Sequence, residues 1–149
     1  MAIGEFCNRD VVIVARNSSI MQAAQLMRQF HVGDLVVTEE RNGSRVPIGI
    51  LTDRDLVVEV LAENVAADSV NVGDVMSPEI ITARESDGIY ETIQRMRTNG
   101  VRRIPVVNER GGLEGIIAVD DLLGLLAEEI TGLANLVMRE QARERSNRR

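Results

Sequence analysis

Ile3–Glu40, IGEFCNRDVVIVARNSSIMQAAQLMRQFHVGDLVVTEE, reads onto Val72–Glu109, VGDVMSPEIITARESDGIYETIQRMRTNGVRRIPVVNE, at a constant offset of 69 residues and without a gap. Gly4 falls on Gly73, Ile20 on Ile89, Gln25 on Gln94, Met27 on Met96, Arg28 on Arg97, Val32 on Val101, Val37 on Val106 and Glu40 on Glu109. After a loop three residues longer in the first copy, Gly49–Leu56 (GILTDRDL) meets Gly115–Leu122 (GIIAVDDL) at an offset of 66. A unit too small to bury a good core has been duplicated, and the two copies are expected to pack on each other. Two copies make two related clefts, which is where function is sought.

Each copy predicts the same elements. Val11–Ala15 is short and β-branched, a strand. Asn17, Ser18 and Ser19 are cap candidates, and Ile20, Ala23, Ala24, Met27 and Phe30 recur at helical spacing. Asp34–Thr38 is a second strand, Asn42-Gly43 a hairpin turn, and Val46–Leu51 the return strand. Thr52–Glu63 reads as a helix. In the second copy Ile80–Ala83 is a strand, with Ser86 or Asp87 capping a helix through Ile89, Ile93 and Met96. Arg103–Val107, a Gly-Gly turn and Leu113–Val119 follow, then a helix from Asp120.

The expected fold is α/β: two tandem β-α-β-β-α units, residues 1–70 and 71–130, packed with pseudo-twofold symmetry. A helical extension and tail, 131–149, follow. The short linker Asn64–Val70 implies rigid apposition. Beyond Leu126 an apolar stripe (Leu122, Leu126, Ile130, Leu133, Val137) covers the chain's own core or pairs with a second chain, and self-association is the favoured reading. Arg139–Arg149 reads as a solvated, fraying end.

Composition excludes several functions. Of 149 residues 44% are hydrophobic and mean hydropathy is −0.03, so a core is available. No apolar run suits a membrane span, and the start lacks a secretory signal pattern. One cysteine, Cys7, excludes an intrachain disulfide and fits a reducing, cytoplasmic setting. Net charge is −6, which opposes nucleic-acid binding; Phe6, Phe30 and Tyr90 cannot build a stacking platform. All 17 basic residues are arginine, which removes a Walker-type phosphate loop and Schiff-base chemistry but leaves anion binding open. His31 is the single histidine and reads as a packing or surface residue, so no catalytic triad or metal cluster is expected. Cys7 aligns with Met76, an apolar contact.

Gly49-Ile50-Leu51-Thr52-Asp53-Arg54-Asp55 places a glycine, a hydroxyl, a cation and a carboxylate at a strand–helix junction. Gly49 admits close backbone approach of a ligand, Thr52 offers a hydroxyl beside unpaired N–H groups, and the helix dipole favours phosphate. Asp55 is placed to accept bonds from vicinal ribose hydroxyls, and Arg54 is a planar cation. The same Thr52-x-x-Asp55 is also close to a capping box.

Repeated in register, this pattern resembles the CBS-domain family, whose motif is Gly-hydrophobic-hydrophobic-Thr/Ser-x-x-Asp at the end of each unit. It is complete at Gly49–Asp55 and partial at Gly115–Asp121; Arg102–Val107 (RRIPVV) and Val72–Ser86 also match, and the resemblance spans about residues 3–130. The resemblance implies paired units with two clefts, frequent dimerisation, and binding of adenosine-containing ligands: AMP, ADP, ATP, NAD or S-adenosylmethionine. Carried over, Thr52 and Asp55 hold phosphate and ribose, Arg54 contacts phosphate, and adenine meets Ile13, Val14, Val32, Gly33 and Asp34. At the second site Ala118 and Asp120 depart from the pattern; Asp121 is left for a ribose and Thr82 for adenine. Arg102 and Arg103 serve either cleft or cap a sheet edge.

The function expected from the resemblance is a regulatory adenosyl-ligand sensor, not an enzyme, working as a homodimer on a protein effector in trans. The alternative is a ligand-free dimerisation scaffold.

Overall fold

The computed structural model describes residues 1–148. Helix α1 (Ile20–Phe30) starts at a full capping box: the Gln22 N–H donates to the Ser19 hydroxyl at 3.0 Å, and the Ser19 N–H donates to Gln22 Oε1 at 2.9 Å. Ile20, Ala23 and Met27 are its buried face. His31 ends it in the left-handed region at φ 54°, so the single histidine is a helix C-cap. β1 (Ile13–Ala15) pairs in parallel with β2 (Asp34–Arg41), which pairs antiparallel with β3 (Ser44–Thr52). Asn42 and Gly43 both take positive φ, 51° and 79°, which the tight β2–β3 hairpin demands.

The second copy repeats this as α3 (Val72–Val75), β4 (Ala83–Arg84), α4 (Ile89–Asn99), β5 (Arg103–Val107) and β6 (Leu113–Ala118), with sheet order β4-β5-β6. Helix α4 is capped by Gly88, not by Ser86 or Asp87; the Thr92 hydroxyl donates to the Gly88 carbonyl at 2.8 Å. Asp87 is committed elsewhere, accepting from the Arg84 N–H at 3.0 Å and the Arg95 guanidinium at 2.9 Å. Burial raises the Asp87 pKa, but these bonds and the charges of Arg95 and Arg84 outweigh it and hold the carboxyl below its ordinary value.

The two copies are tied by exchanged segments. The Ile3 and Gly4 N–H groups donate to the carbonyls of Asp87 and Glu85 at 2.8 and 2.9 Å. At the offset of the repeat, Val72 and Gly73 donate to Ser18 and Arg16 at 2.9 and 2.8 Å. Asn8 donates to Ile116 at 2.8 Å, and Ser77 to Ile50 at 3.1 Å. The leading segment of each copy is therefore stitched onto the other, and Val72 and Met76 are buried in the first copy's core with Leu35, Val37 and Leu51.

This pairing gives the glycines of the repeated motif a structural reason. A Cβ on Gly49 would lie 2.7 Å from Met76 Sδ and 2.8 Å from the Ser77 carbonyl oxygen. One on Gly115 would lie 2.7 Å from both the Asn8 carbonyl oxygen and Cys7 Sγ. Close approach at Gly49 is thus to the other copy's backbone, not the ligand approach expected from sequence. Cys7 and Met76 do occupy equivalent contacts.

Two helices differ from expectation. After β3, α2 (Asp53–Asp55) runs into wide π turns at Leu56–Leu61, where a plain α-helix over Thr52–Glu63 is expected. The Ala62 N–H reaches the Val57 carbonyl at 2.9 Å, and Val65 reaches Val60 at 3.0 Å. The run of valines there loses side-chain freedom in a tighter turn. Helix α5 spans Val119–Asn147 as one 29-residue element. The arginine-rich end is helical through Asn147 instead of frayed, and its described side chains are exposed. Among the described residues no helix is long and apolar enough to cross a membrane.

Candidate functional site

The exchanged segment decides which residues meet Thr52 and Asp55. A cleft of about 320 Å³ opens where the end of β3 and the start of α2 face the stretch after α3 and the start of β5. The first copy contributes Asp34, Ile50, Thr52 and Asp55. The second contributes Ser77, Glu79, Ile81, Val101, Arg102 and Arg103. Apolar Ile50, Ile81 and Val101 thus lie beside the hydroxyls of Thr52 and Ser77, two guanidinium groups and three carboxylates.

Thr52 and Asp55 form the capping box. The Asp55 N–H donates to Thr52 Oγ1 at 3.1 Å, and the Thr52 N–H donates to Asp55 Oδ2 at 2.9 Å. The two readings of this pair are compatible, because the box leaves the Thr52 hydroxyl proton and Asp55 Oδ1 free for a further partner. Asp34 lies against Arg103, with 3.5 Å between Oδ1 and Nε. Burial pushes the Asp34 carboxyl above its ordinary value; Arg103 pulls it down, and the neighbouring Asp53 charge adds to the rise. With Arg103 engaged there, Arg102 is the remaining cation of the cleft lining. Asp55 also borders, with Glu59 and Asp74, a recess of about 330 Å³, so the surroundings are acidic.

The expected site residues divide accordingly. Thr52, Asp55, Asp34, Arg102 and Arg103 come together in this cleft. Arg54 lies outside its lining; its backbone N–H donates to Asp53 Oδ1 at 2.8 Å. Ile13 and Val14 border a separate groove of about 550 Å³ with Ala15, Arg16 and Thr38. Val32 packs against the first copy's core, and the Gly33 carbonyl accepts the Asp53 N–H at 2.9 Å. Thr82 borders a third groove, of about 520 Å³, where its carbonyl accepts the Arg95 guanidinium at 3.0 Å. Asp121, in the first turn of α5, accepts the Ala118 N–H at 2.9 Å, repeating half of the Thr52–Asp55 box.

Ile50, Ser77, Glu79, Ile81 and Val101 line the cleft but are not among the site residues expected from sequence. The repeat carried the signal, since Val101-Arg102-Arg103 stands at the offset of Val32-Gly33-Asp34. The resemblance implies an apolar wall of Ile13, Val14 and Val32 from the same copy as Thr52, whereas the exchange of segments brings Ile81 and Val101 of the other copy beside Ile50. Among the described residues no group of three or more His, Cys, Asp or Glu side chains is arranged to hold a metal ion.

Two stitched copies of one α/β unit sharing a ligand-sized cleft define a paired, internally symmetric module. The CBS domain model matches residues 3–62 and 72–128, and the chain belongs to the CBS domain family. It is 34% identical over 123 residues to the uncharacterized protein MK0525 of Methanopyrus kandleri, covering 83% of this chain but only 61% of that protein. It is 33% identical over 125 residues to the CBS domain-containing protein YhcV of Bacillus subtilis, covering 83% of this chain and 85% of that one. Among solved structures, the CBS domain pair of protein MJ0100, in complex with 5′-methylthioadenosine and S-adenosyl-L-methionine, superposes with a TM-score of 0.73. That match covers 87% of this chain and 98% of the other at 22% identity, a likeness of fold.

Proposed function

We propose that this chain is a regulatory module that binds an adenosyl ligand in the Thr52–Asp55 cleft and passes the signal to a protein effector in trans as a homodimer, without catalysing a reaction. The observation that carries the reading is the convergence in one cleft of Thr52 and Asp55 from the first copy with Ile81, Val101 and Arg102 from the second. A ligand there bridges both copies, so its binding energy acts on their relative arrangement. Asp55 Oδ1 accepts from ribose hydroxyls, Ile81 and Val101 face the base, and Arg102 meets the 5′ substituent.

Charge narrows the ligand among AMP, ADP, ATP, NAD and S-adenosylmethionine. Two arginines stand against Asp34, Asp55 and Glu79, with Glu59 and Asp74 close by. Such a cleft disfavours a triphosphate and favours an adenosyl group with one phosphate or a cationic 5′ substituent. The methylthioadenosine and S-adenosylmethionine bound by the MJ0100 pair are of that low-charge kind. Functional units at 1–70 and 71–130, with a cytoplasmic setting, complete the reading.

The test is thermal unfolding of nucleotide-stripped protein with AMP, ATP, NAD and S-adenosylmethionine, with Asp55→Ala in parallel. A ligand at 100 times its dissociation constant adds about 2.7 kcal/mol. A raised midpoint with AMP or S-adenosylmethionine, lost in Asp55→Ala, is the expected result. No shift with any ligand would favour the scaffold alternative, which the complete capping box at Thr52–Asp55 supports by giving both side chains a structural task.

A further inference from the structure

Asp34 and Arg103 stand at the same position of the repeat, at its offset of 69, and they meet across the joint between the copies. Two copies carrying one charged residue at both places would set like charges face to face. Here Arg103 Nε lies 3.5 Å from Asp34 Oδ1, so the meeting is attractive. The two partners differ in their surroundings. The Asp34 side chain is 14% exposed and that of Arg103 is 45% exposed, and both residues border the Thr52–Asp55 cleft.

Burial makes Asp34 depend on its partner. Arg103 is the cation paired with its carboxylate, and Asp53 is a like charge nearby. A largely buried carboxylate that loses its counter-charge is costly. A ligand phosphate that draws on Arg103 leaves Asp34 in that state. A ligand without charge at its 5′ end leaves the pair intact. The cost therefore falls on anionic ligands alone.

We infer that Asp34 sets how much negative charge the cleft accepts at the 5′ end of an adenosyl ligand, by holding Arg103 back from it. Asp34 is then a positioning residue that acts through Arg103, not the adenine contact that the resemblance implies. The inference rests on the cleft reading above and deepens it by naming the residue that selects among adenosyl ligands.

The test is titration calorimetry of the nucleotide-stripped full chain with adenosine and with AMP, which differ only by the 5′ phosphate. The readout is the ratio of the two dissociation constants, so a change to the shared adenosyl contacts cancels. Asp34→Asn keeps the side chain's shape and removes its charge. It should shift the ratio toward AMP by about tenfold, the scale of one charge-assisted contact. Asp34→Ser should give a shift in the same direction, and Asp34→Glu should keep the unmodified ratio. Asp34→Asn/Arg103→Gln should match Arg103→Gln alone, because no guanidinium is left to release. A ratio that Asp34→Asn leaves unmoved or moves toward adenosine would overturn the inference while the cleft reading stands. So would a shift as large without Arg103 as with it. Binding of neither probe to any variant would overturn the cleft reading, and this inference with it.

Discussion

Gly49 shows how one residue serves the joint between the copies. Its missing Cβ makes room for Met76 and Ser77, so Gly49→Ala should destabilise the protein by about 1–3 kcal/mol through overpacking. Gly115→Ala should do the same against Cys7 and Asn8, and a lowered thermal midpoint in both measures it. Thr52→Ala should cost about 1 kcal/mol for the lost cap, while Thr52→Ser keeps it. Asp87 and Asp34 should respond to pH in opposite senses. The folded-state pKa of Asp87 lies below its ordinary value of 3.8, so its contribution is present above that value and is lost as pH falls through the folded pKa. The midpoint gap between the unmodified protein and Asp87→Asn should therefore be open at neutral pH and close in strong acid. Asp34 is raised, so the folded state binds its proton more readily and stability falls as pH rises through that window; Asp34→Asn should show no such fall. The Thr52–Asp55 pair was legible from spacing alone. Ser77 and Glu79 were not, because nothing in their side chains announces which copy they face.

Elements with strong local chemistry were read correctly. Ser19 with Gln22 fixes the start of α1, and Asn42-Gly43 fixes the hairpin, each through a local interaction that the sequence displays. Elements held by long-range pairing were read less well. β4 is two residues, not the expected Ile80–Ala83, because its pairing to β5 covers only Ala83 and Arg84. The four-residue α3 owes its place to bonds from Val72 and Gly73 to the other copy. In α5, Gly132 has open space around its Cα and sits in a helix interior. Gly132→Ala should therefore stabilise the chain by about 1 kcal/mol, read as a raised midpoint. A fall would mean that a close neighbour needs the gap.

At the scale of the molecule, duplication predicted two packed copies and two clefts, and the fold carries that pairing. The exchange of leading segments was hidden, because backbone bonds such as Ser77 to Ile50 leave no periodicity in sequence. That exchange turns the motif cleft into a joint between copies and supports reading ligand occupancy as a change in their coupling. The most direct measurement is a backbone amide chemical-shift map during titration with AMP or S-adenosylmethionine. The account predicts the largest changes at Ile50, Thr52, Asp55, Ser77, Ile81 and Val101–Arg103, with Asp55→Ala abolishing them. Changes centred instead on the Ile13–Asn17 and Thr38–Arg45 groove, with the Thr52–Asp55 cleft silent, would contradict it.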